Sequence, residues 1–312
     1  MKKTLRELHD YISEISAHAD VQVGSPLPLG TQETGGGVNF AIFSRDASRV
    51  CLELFDQPED AVPVRSIDLD AACHRTGDGW HVWVEGISSG QFYGYRVDGP
   101  YAPSEGNWFN FNRLLRDPCA IAIMQLLPWD FAAARGYDPL APEQDLSFST
   151  VDNAGSMPKY IFLNESFEWH GDQPPRHPWS KTLIYEVHVR GSTVHPMSGV
   201  EHPGTYRGLM AKIPYLKALG VTAVELMPVQ EFNDTSIARC NPQTSQPPKN
   251  YWGYDPVVFF APKASYSSAA GMGSIGIGSP SRVSAANLVL PNLMGVHLTD
   301  LQTKLDQRAL KV

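Results

Sequence analysis

Between Val21 and Val97, apolar and aromatic residues recur at every second position, and this period limits the fold more than any other feature of the chain. Val38-Asn-Phe-Ala-Ile-Phe43 and Arg49-Val-Cys-Leu-Glu-Leu-Phe55 are rich in β-branched and aromatic residues, as are His81-Val-Trp-Val-Glu85 and Phe92-Tyr-Gly-Tyr-Arg-Val97. Side chains along a strand point to alternate faces, so such runs suit sheets with one covered face. Gly77-Asp-Gly79 and Ser88-Ser-Gly90 supply turns. Short strands at this spacing, with no long helix between them, predict an antiparallel sandwich over roughly residues 21–100. Trp80, Trp83, Tyr93 and Tyr95 then have two readings, as core or as rings displayed to a ligand.

The period changes on either side. Leu5, Leu8, Ile12 and Ile15 lie at helical spacing within residues 4–17 and predict a short amphipathic helix. Residues 101–180 show little periodicity, and the prolines of Asp172-Gln-Pro-Pro-Arg-His-Pro178 mark a linker. Thr182-Leu-Ile-Tyr-Glu-Val-His-Val189 reads as a continuous strand buried on both faces, and Val221-Thr-Ala-Val-Glu-Leu-Met227 as a second. Tyr206, Leu209, Ile213 and Leu216 recur at helical spacing between them, ending at Gly220, with Pro214 kinking or restarting the helix. Strand, crossover helix and parallel strand form the repeating unit of an α/β barrel or a doubly wound sheet.

Charge and cysteine usage narrow the function classes. The chain has 25 Lys and Arg against 33 Asp and Glu, a net charge of −8. Phosphate recognition leans on clustered cations, so no nucleic-acid partner is expected. Lys2 and Lys3 begin like a signal segment, but Asp10, Glu14 and His18 interrupt any apolar core, and no run predicts a membrane span. Cys51, Cys73, Cys119 and Cys240 are scattered without ligand spacing. They read as unpaired buried thiols of a cytoplasmic protein, with no structural metal and no cofactor expected.

Asn250-Tyr-Trp-Gly-Tyr-Asp-Pro256 gathers three aromatic rings and a carboxylate around a glycine. A sugar ring offers a C–H face to stack on an aromatic and hydroxyls to bond a carboxylate. The loop therefore reads either as a sugar site or as a turn whose rings are core.

The ordered series Asn39-Phe-Ala-Ile-Phe-Ser44, Gly90-x-x-Tyr-Gly-Tyr-Arg-Val-Asp-Gly-Pro100 and Phe111-Asn-x-Leu-Leu-x-Asp-Pro118 resembles the family forty-eight carbohydrate-binding module. Ile184-Tyr-Glu-Val-His-Val-Arg-Gly191, Ile213-Pro-Tyr-Leu-x-x-Leu-Gly-Val-Thr222, Val224-Glu-Leu-Met-Pro-Val229 and the Asn250–Pro256 stretch resemble the first quarter of an α-amylase superfamily barrel, glycoside hydrolase family thirteen. Arg190 before Gly191, and Asn110-Phe-Asn-x-Leu-Leu115, look like its isoamylase and glycogen debranching branch. The fold implied is multidomain β plus α/β: an N-terminal antiparallel β-sandwich followed by the first part of an incomplete (β/α)8 TIM barrel. The divisions expected are an amphipathic helix (1–20), the sandwich module (21–115), a connecting region (116–180), the barrel start (181–268) and a non-matching tail (269–312) expected to be disordered.

The resemblance implies a debranching hydrolase cutting α-1,6 links of glycogen, starch or limit dextrin with retention. It places Tyr254 as the ring that stacks on the sugar before the cut, with Asp255, Trp252 and Tyr251 as further substrate-binding residues. Retaining hydrolysis needs two carboxyl groups about 5–5.5 Å apart. In the family these lie on later barrel strands, so no catalytic residue is assigned in this chain. Glu186 and Glu225 are expected to satisfy polar groups of the barrel wall, as are His188 and Arg190 at the end of the first strand, and Glu231 and Asp234 to be solvated. From Ala264 to Thr299 the only formally charged residue is Arg282, and the family pattern stops after Ser268. A shifted reading frame or a truncation is the expectation, which the other frames of the encoding DNA would test. Two other readings stay open: a non-catalytic α-glucan-binding fragment, and a relative of α-1,4-glucan branching or trehalose-releasing enzymes.

Overall fold

The computed structural model describes residues 20–268, apart from 125–133, 139, 165–170, 172, 174, 235–239 and 246–247. The helix expected over residues 4–17 and the tail 269–312 lie outside the described residues. The chain divides after Asn164 into two compact units.

In the first unit the alternating runs become two antiparallel sheets. Strands β1 (Val21–Gln22), β2 (Gly30–Thr34), β3 (Gly37–Phe43), β6 (Arg75–Thr76) and β7 (Gly79–Glu85) form one, in the order β1-β7-β3-β2, with β6 also on β7. Strands β4 (Arg49–Phe55), β5 (Arg65–Leu69), β8 (Phe92–Asp98) and β11 (Tyr160–Ile161) form the other, ordered β11-β8-β4-β5. A small hairpin of β9 (Tyr101–Ala102) and β10 (Asn107–Trp108) follows β8. Val38, Phe40, Trp80, Val82 and Val84 of the first sheet and Leu52, Leu54, Tyr93 and Tyr95 of the second are buried. Phe40 meets Tyr93 edge-on at 5.3 Å. Burying side chains of this size contributes roughly 1.5–3 kcal/mol each, which makes these two faces the main stabilising layer.

Charged groups are buried in this unit too. Arg96 Nε donates to Glu53 Oε1 at 2.7 Å and Arg96 Nη2 lies 2.9 Å from Asp152 Oδ2; both members of the first pair are almost wholly buried. Tyr93 Oη donates to Asp117 Oδ2 at 2.7 Å. The aperiodic stretch after β10 is held by buried amides: Asn110 Nδ2 donates to the Ser149 carbonyl at 2.8 Å, and Asn153 Oδ1 accepts the Leu114 N–H at 2.6 Å.

The second unit contains the parallel pair β12 (Ile184–Val187) and β13 (Ala223–Leu226), in register from Ile184↔Ala223 to Val187↔Leu226. Helices α1 (Val189–Thr193), α2 (Tyr206–Met210) and α3 (Ile213–Ala218) run between them. Pro214 sits in the first turn of α3, where its missing N–H costs no helix bond. Ile213, Leu216 and Val221 form one buried cluster. The long strand expected from Thr182 to Val189 is shorter. His188 caps α1 by accepting the Gly191 N–H, which turns the chain after Val187. Ile184 and Tyr185 are exposed rather than covered on both faces, because among the described residues no third strand flanks the pair.

Strands β14 (Gln230–Phe232) and β15 (Pro256–Pro262) close the unit as an antiparallel, irregularly registered pair. Between them Glu231, expected in solvent, is wholly buried and bonded to Lys263 at 2.7 Å. The thiols also differ from expectation: Cys51 is buried, and burial pushes it up to about 12, while Cys73 and Cys240 are exposed.

Candidate functional site

The ends of β12 and β13 lead to one cluster of aromatic residues. His188 follows β12 directly, and its Nδ1 accepts the Gly191 N–H at 2.9 Å. That bond leaves the proton on Nε2, which donates to the Tyr251 carbonyl at 2.8 Å and has Tyr266 Oη 3.2 Å away. The His188 and Tyr251 rings stack at 4.4 Å with an 11° tilt. Trp252 stands edge-on to both, 6.1 Å from His188 and 5.7 Å from Tyr251. Behind this layer, Val189, Tyr206, Phe232 and Tyr266 make a buried cluster.

The rest of the loop is held by its own turn chemistry. Asn250 donates its N–H to the Asp234 carbonyl at 3.0 Å, and its Oδ1 accepts the Gly253 N–H at 3.2 Å. Gly253 has φ +80° and packs on Phe232 so closely that a Cβ would lie 2.7 Å from the ring. Both features demand glycine. The outcome is a loop with its backbone anchored inward and its rings outward. Tyr254 is 67% exposed, Trp252 55% and Tyr251 44%, and Asp255 is exposed beside them.

The four residues predicted to bind substrate thus sit in one loop, with their rings accessible rather than in a core. The remaining candidates divide. His188 is buried and orients the loop, whereas Arg190 is exposed on α1. Asp234 is 3.8 Å from Lys249. Glu186 and Glu225 lie in register on neighbouring strands and are exposed, and among the described residues they make none of the wall hydrogen bonds expected of them. Sequence reasoning missed Tyr266 and Lys263, whose parts depend on residues about 78 and 32 positions away. The spacing of His188 to Gly191 was the one local signal, since an acceptor three residues before a free N–H is a helix cap. Among the described residues, no group of three or more His, Cys, Asp or Glu is placed to hold a metal, and no helix is long and apolar enough to cross a membrane.

Gly253→Ala tests how the loop is held. We expect a loss of about 1–3 kcal/mol, from a left-handed backbone combined with the clash on Phe232, read by chemical denaturation. Trp252 emission should shift as the loop moves. An unchanged midpoint with an unchanged spectrum would refute this account.

Residues 28–120 match the family model described as carbohydrate-binding module 48, the isoamylase N-terminal domain. The chain is 41% identical over 251 residues to chloroplastic isoamylase 1 of Oryza sativa subsp. japonica, which covers 80% of this chain and 29% of that protein. It is 40% identical over 250 residues to the glycogen debranching enzyme of Klebsiella pneumoniae (strain 342), covering 78% of this chain and 35% of that one. Among solved structures, apo pullulanase from Paenibacillus barengoltzii aligns with a TM-score of 0.53 at 23% identity, over 78% of this chain and 33% of its own. The catalytic module of the glycogen-degrading pneumococcal virulence factor SpuA, in complex with an inhibitor, aligns at 0.56 and 21%, over 80% and 34%. The chain spans about a third of the length of the relatives it matches. These likenesses agree in fold: an antiparallel sandwich of the module 48 type followed by the first part of a (β/α)8 barrel.

Proposed function

We propose that this chain, a relative of isoamylase and the glycogen debranching enzymes, serves the retaining hydrolysis of α-1,6-glucosidic bonds in glycogen, starch or limit dextrin in the cytoplasm. The observation that carries the reading is the Asn250–Asp255 loop, where three exposed rings and a carboxylate stand on a backbone anchored by His188. Tyr254, the most exposed ring, stacks on the sugar before the cut. Asp255 accepts a sugar hydroxyl, and Trp252 and Tyr251 extend the apolar surface. Glycoside cleavage also needs a nucleophilic and a proton-donating carboxyl about 5–5.5 Å apart. The resemblance puts those groups on later strands, and none of the carboxyls described above fills either part.

The 312-residue polypeptide alone is therefore expected to hold α-glucan without turning it over. Incubation with branched and linear α-glucans, following new reducing ends together with retention on immobilised glucan, checks both halves. We expect no new ends, and retention weakened about tenfold or more by Tyr254→Ala, the scale of losing one well-packed ring from a binding site. Robust α-1,6 cleavage would overturn the expectation of no turnover. Retention indifferent to Tyr254→Ala would take the sugar site away from this loop.

A further inference from the structure

The His188 ring is held by bonds that only one of its protonation states can make. It is 8% exposed at the end of β12, and its Nδ1 accepts the Gly191 N–H in the first turn of α1. Its Nε2 donates to the Tyr251 carbonyl and has the Tyr266 hydroxyl 3.2 Å away. An acceptor at one nitrogen and a hydrogen at the other define the neutral Nε2–H tautomer. The neighbours fix the plane of the ring as well. Tyr251 stacks on one face, while Trp252 and Tyr266 meet it edge-on at 88° and 75°. The Tyr251 hydroxyl in turn reaches over Gly191, where a Cβ would lie 2.6 Å from it. Tyr251 is therefore fixed to α1 twice, by its carbonyl through His188 and by its own ring tip.

A second proton on His188 undoes this arrangement. Nδ1 would then carry a hydrogen facing the Gly191 N–H, donor against donor, and the cap of α1 would be lost. Turning the ring over gives no relief, since both nitrogens are then donors. The Tyr251 ring face attracts a cation, but a charge cut off from water costs more than that unless an anion pairs with it. Among the described residues the polar contacts of the ring are the Gly191 N–H, the Tyr251 carbonyl and the Tyr266 hydroxyl, with no carboxylate. Glu186, two positions back on β12, and Arg190, two ahead on α1, are exposed. Tyr266 stays a hydroxyl, its value pushed up to about 12 by burial. Asp234 and Glu231, the carboxylates that act on Tyr266 from beyond it, face Lys249 at 3.8 Å and Lys263 at 2.7 Å. The ring can take the proton only by leaving the Gly191 N–H, and it carries the Tyr251 carbonyl with it.

The same loop bears Trp252, Tyr254 and Asp255. We infer that neutral His188 is the positioning group of the Tyr254 loop, and that protonating it releases the loop and weakens glucan binding in acid. That the loop binds glucan rests on the function proposed above; that His188 latches it to α1 does not. Imidazole chemistry sets the window, between about pH 8 and pH 5. Exposed carboxylates keep their charge across it. The Glu231 carboxyl, raised by burial, is a second source of pH response in this unit, and a variant must separate the two.

The test uses the full chain, with maltoheptaose as the probe and the pH taken from 8 to 5. Ring-nitrogen NMR of the wild type reads the His188 tautomer without any substitution. We expect the Nε2–H form at pH 8. Protonation should speed exchange of the Gly191 amide and shift the indole N–H resonance of Trp252, assigned by its loss in Trp252→Phe. Calorimetry should show maltoheptaose bound about tenfold more weakly at pH 5 than at pH 8, the scale of one buried hydrogen bond lost. His188→Asn keeps an acceptor for the Gly191 N–H, since asparagine is a good cap, but it cannot titrate. Its affinity, lower at pH 8 for want of the Tyr251 bond, should be flat across the range. A wild-type ring protonated at Nδ1 at pH 8, or a Gly191 amide indifferent to His188 titration, would overturn the latch. So would a pH dependence undiminished in His188→Asn, which would pass the effect to Glu231. Should His188→Asn unfold, the ring and amide measurements on the wild type decide alone. Maltoheptaose binding absent at every pH, with Gly191 and Trp252 still following His188, would uphold the latch and overturn the sugar site instead.

Discussion

Replacing Lys263 with methionine is expected to destabilise the second unit by about 3–5 kcal/mol, the usual consequence of stripping one partner from a buried ion pair. Lys263 is 1% exposed and Glu231 0%. The ammonium donates to Glu231 Oε1 at 2.7 Å and to the Phe232 carbonyl at 2.8 Å, and lies 4.3 Å over the Phe232 ring. The second carboxylate oxygen accepts the Ala264 N–H at 2.7 Å. Every polar atom of the pair therefore has a partner, and removing the cation strands an anion in an apolar layer. The double replacement Glu231→Leu/Lys263→Met should recover most of the loss, because two apolar groups carry no desolvation penalty. Hydrogen exchange in peptides spanning β13 to β15 measures this unit separately from the sandwich. Single and double variants equally destabilised would show that the pair contributes shape rather than charge compensation.

The pH dependence has a definite sign. Burial pushes the Glu231 carboxyl above its ordinary value of 4.5, against the downward pull of Lys263 and the Ala264 N–H. A carboxyl raised on folding contributes stability that is full below pH 4.5 and is lost as pH rises through the folded value. Relative to Glu231→Gln, the wild type should lose stability with rising pH across that window. In Lys263→Met the carboxyl can shed its charge by taking up a proton, so the penalty should be smaller in acid than at neutral pH.

The second large effect belongs to the sandwich. Arg96→Met should cost about 3–5 kcal/mol for the same reason. Glu53 is 7% exposed and relies on Arg96 at Oε1, while its Oε2 has no hydrogen bond among the described residues. The nearby buried cation, Lys159, has its ammonium value lowered to about 8 by burial and donates hydrogen bonds to the Ala154 and Met157 carbonyls, so it does not replace the guanidinium. Exchange in peptides across β4 and β8 should rise in Arg96→Met and return in part in Glu53→Leu/Arg96→Met. Unchanged protection in the single variant would refute the claim that Arg96 neutralises Glu53.

The sandwich could be read from the sequence because its information is local. A period of two and a turn residue at each end decide which face of a strand is covered, and Val38, Phe40, Trp80 and Val82 lie where that period puts them. Pro214 announced a kink or a restart of the helix, and the structure takes the restart, with the proline in a first turn where its missing N–H is tolerated. The Asn250–Asp255 loop announced its composition, but not which way its rings would face.

Long-range pairing decided the rest. Glu231 sits in a polar stretch that reads as solvated, and it is buried because Lys263 arrives from 32 residues away to neutralise it. His188 ends a run that reads as strand, yet its two ring nitrogens cap α1 and hold Tyr251, 63 residues on. Trp83 alternates like its neighbours, and only the register β1-β7-β3-β2 sets it between Gln22 and Asn39, over Gly37. Period and turn chemistry are properties of adjacent residues, so the chain itself determined where its strands lie and which of their faces is apolar. Whether a charge is neutralised, or a ring left open to a ligand, depends on groups distant in sequence, and the tertiary structure alone brings those together.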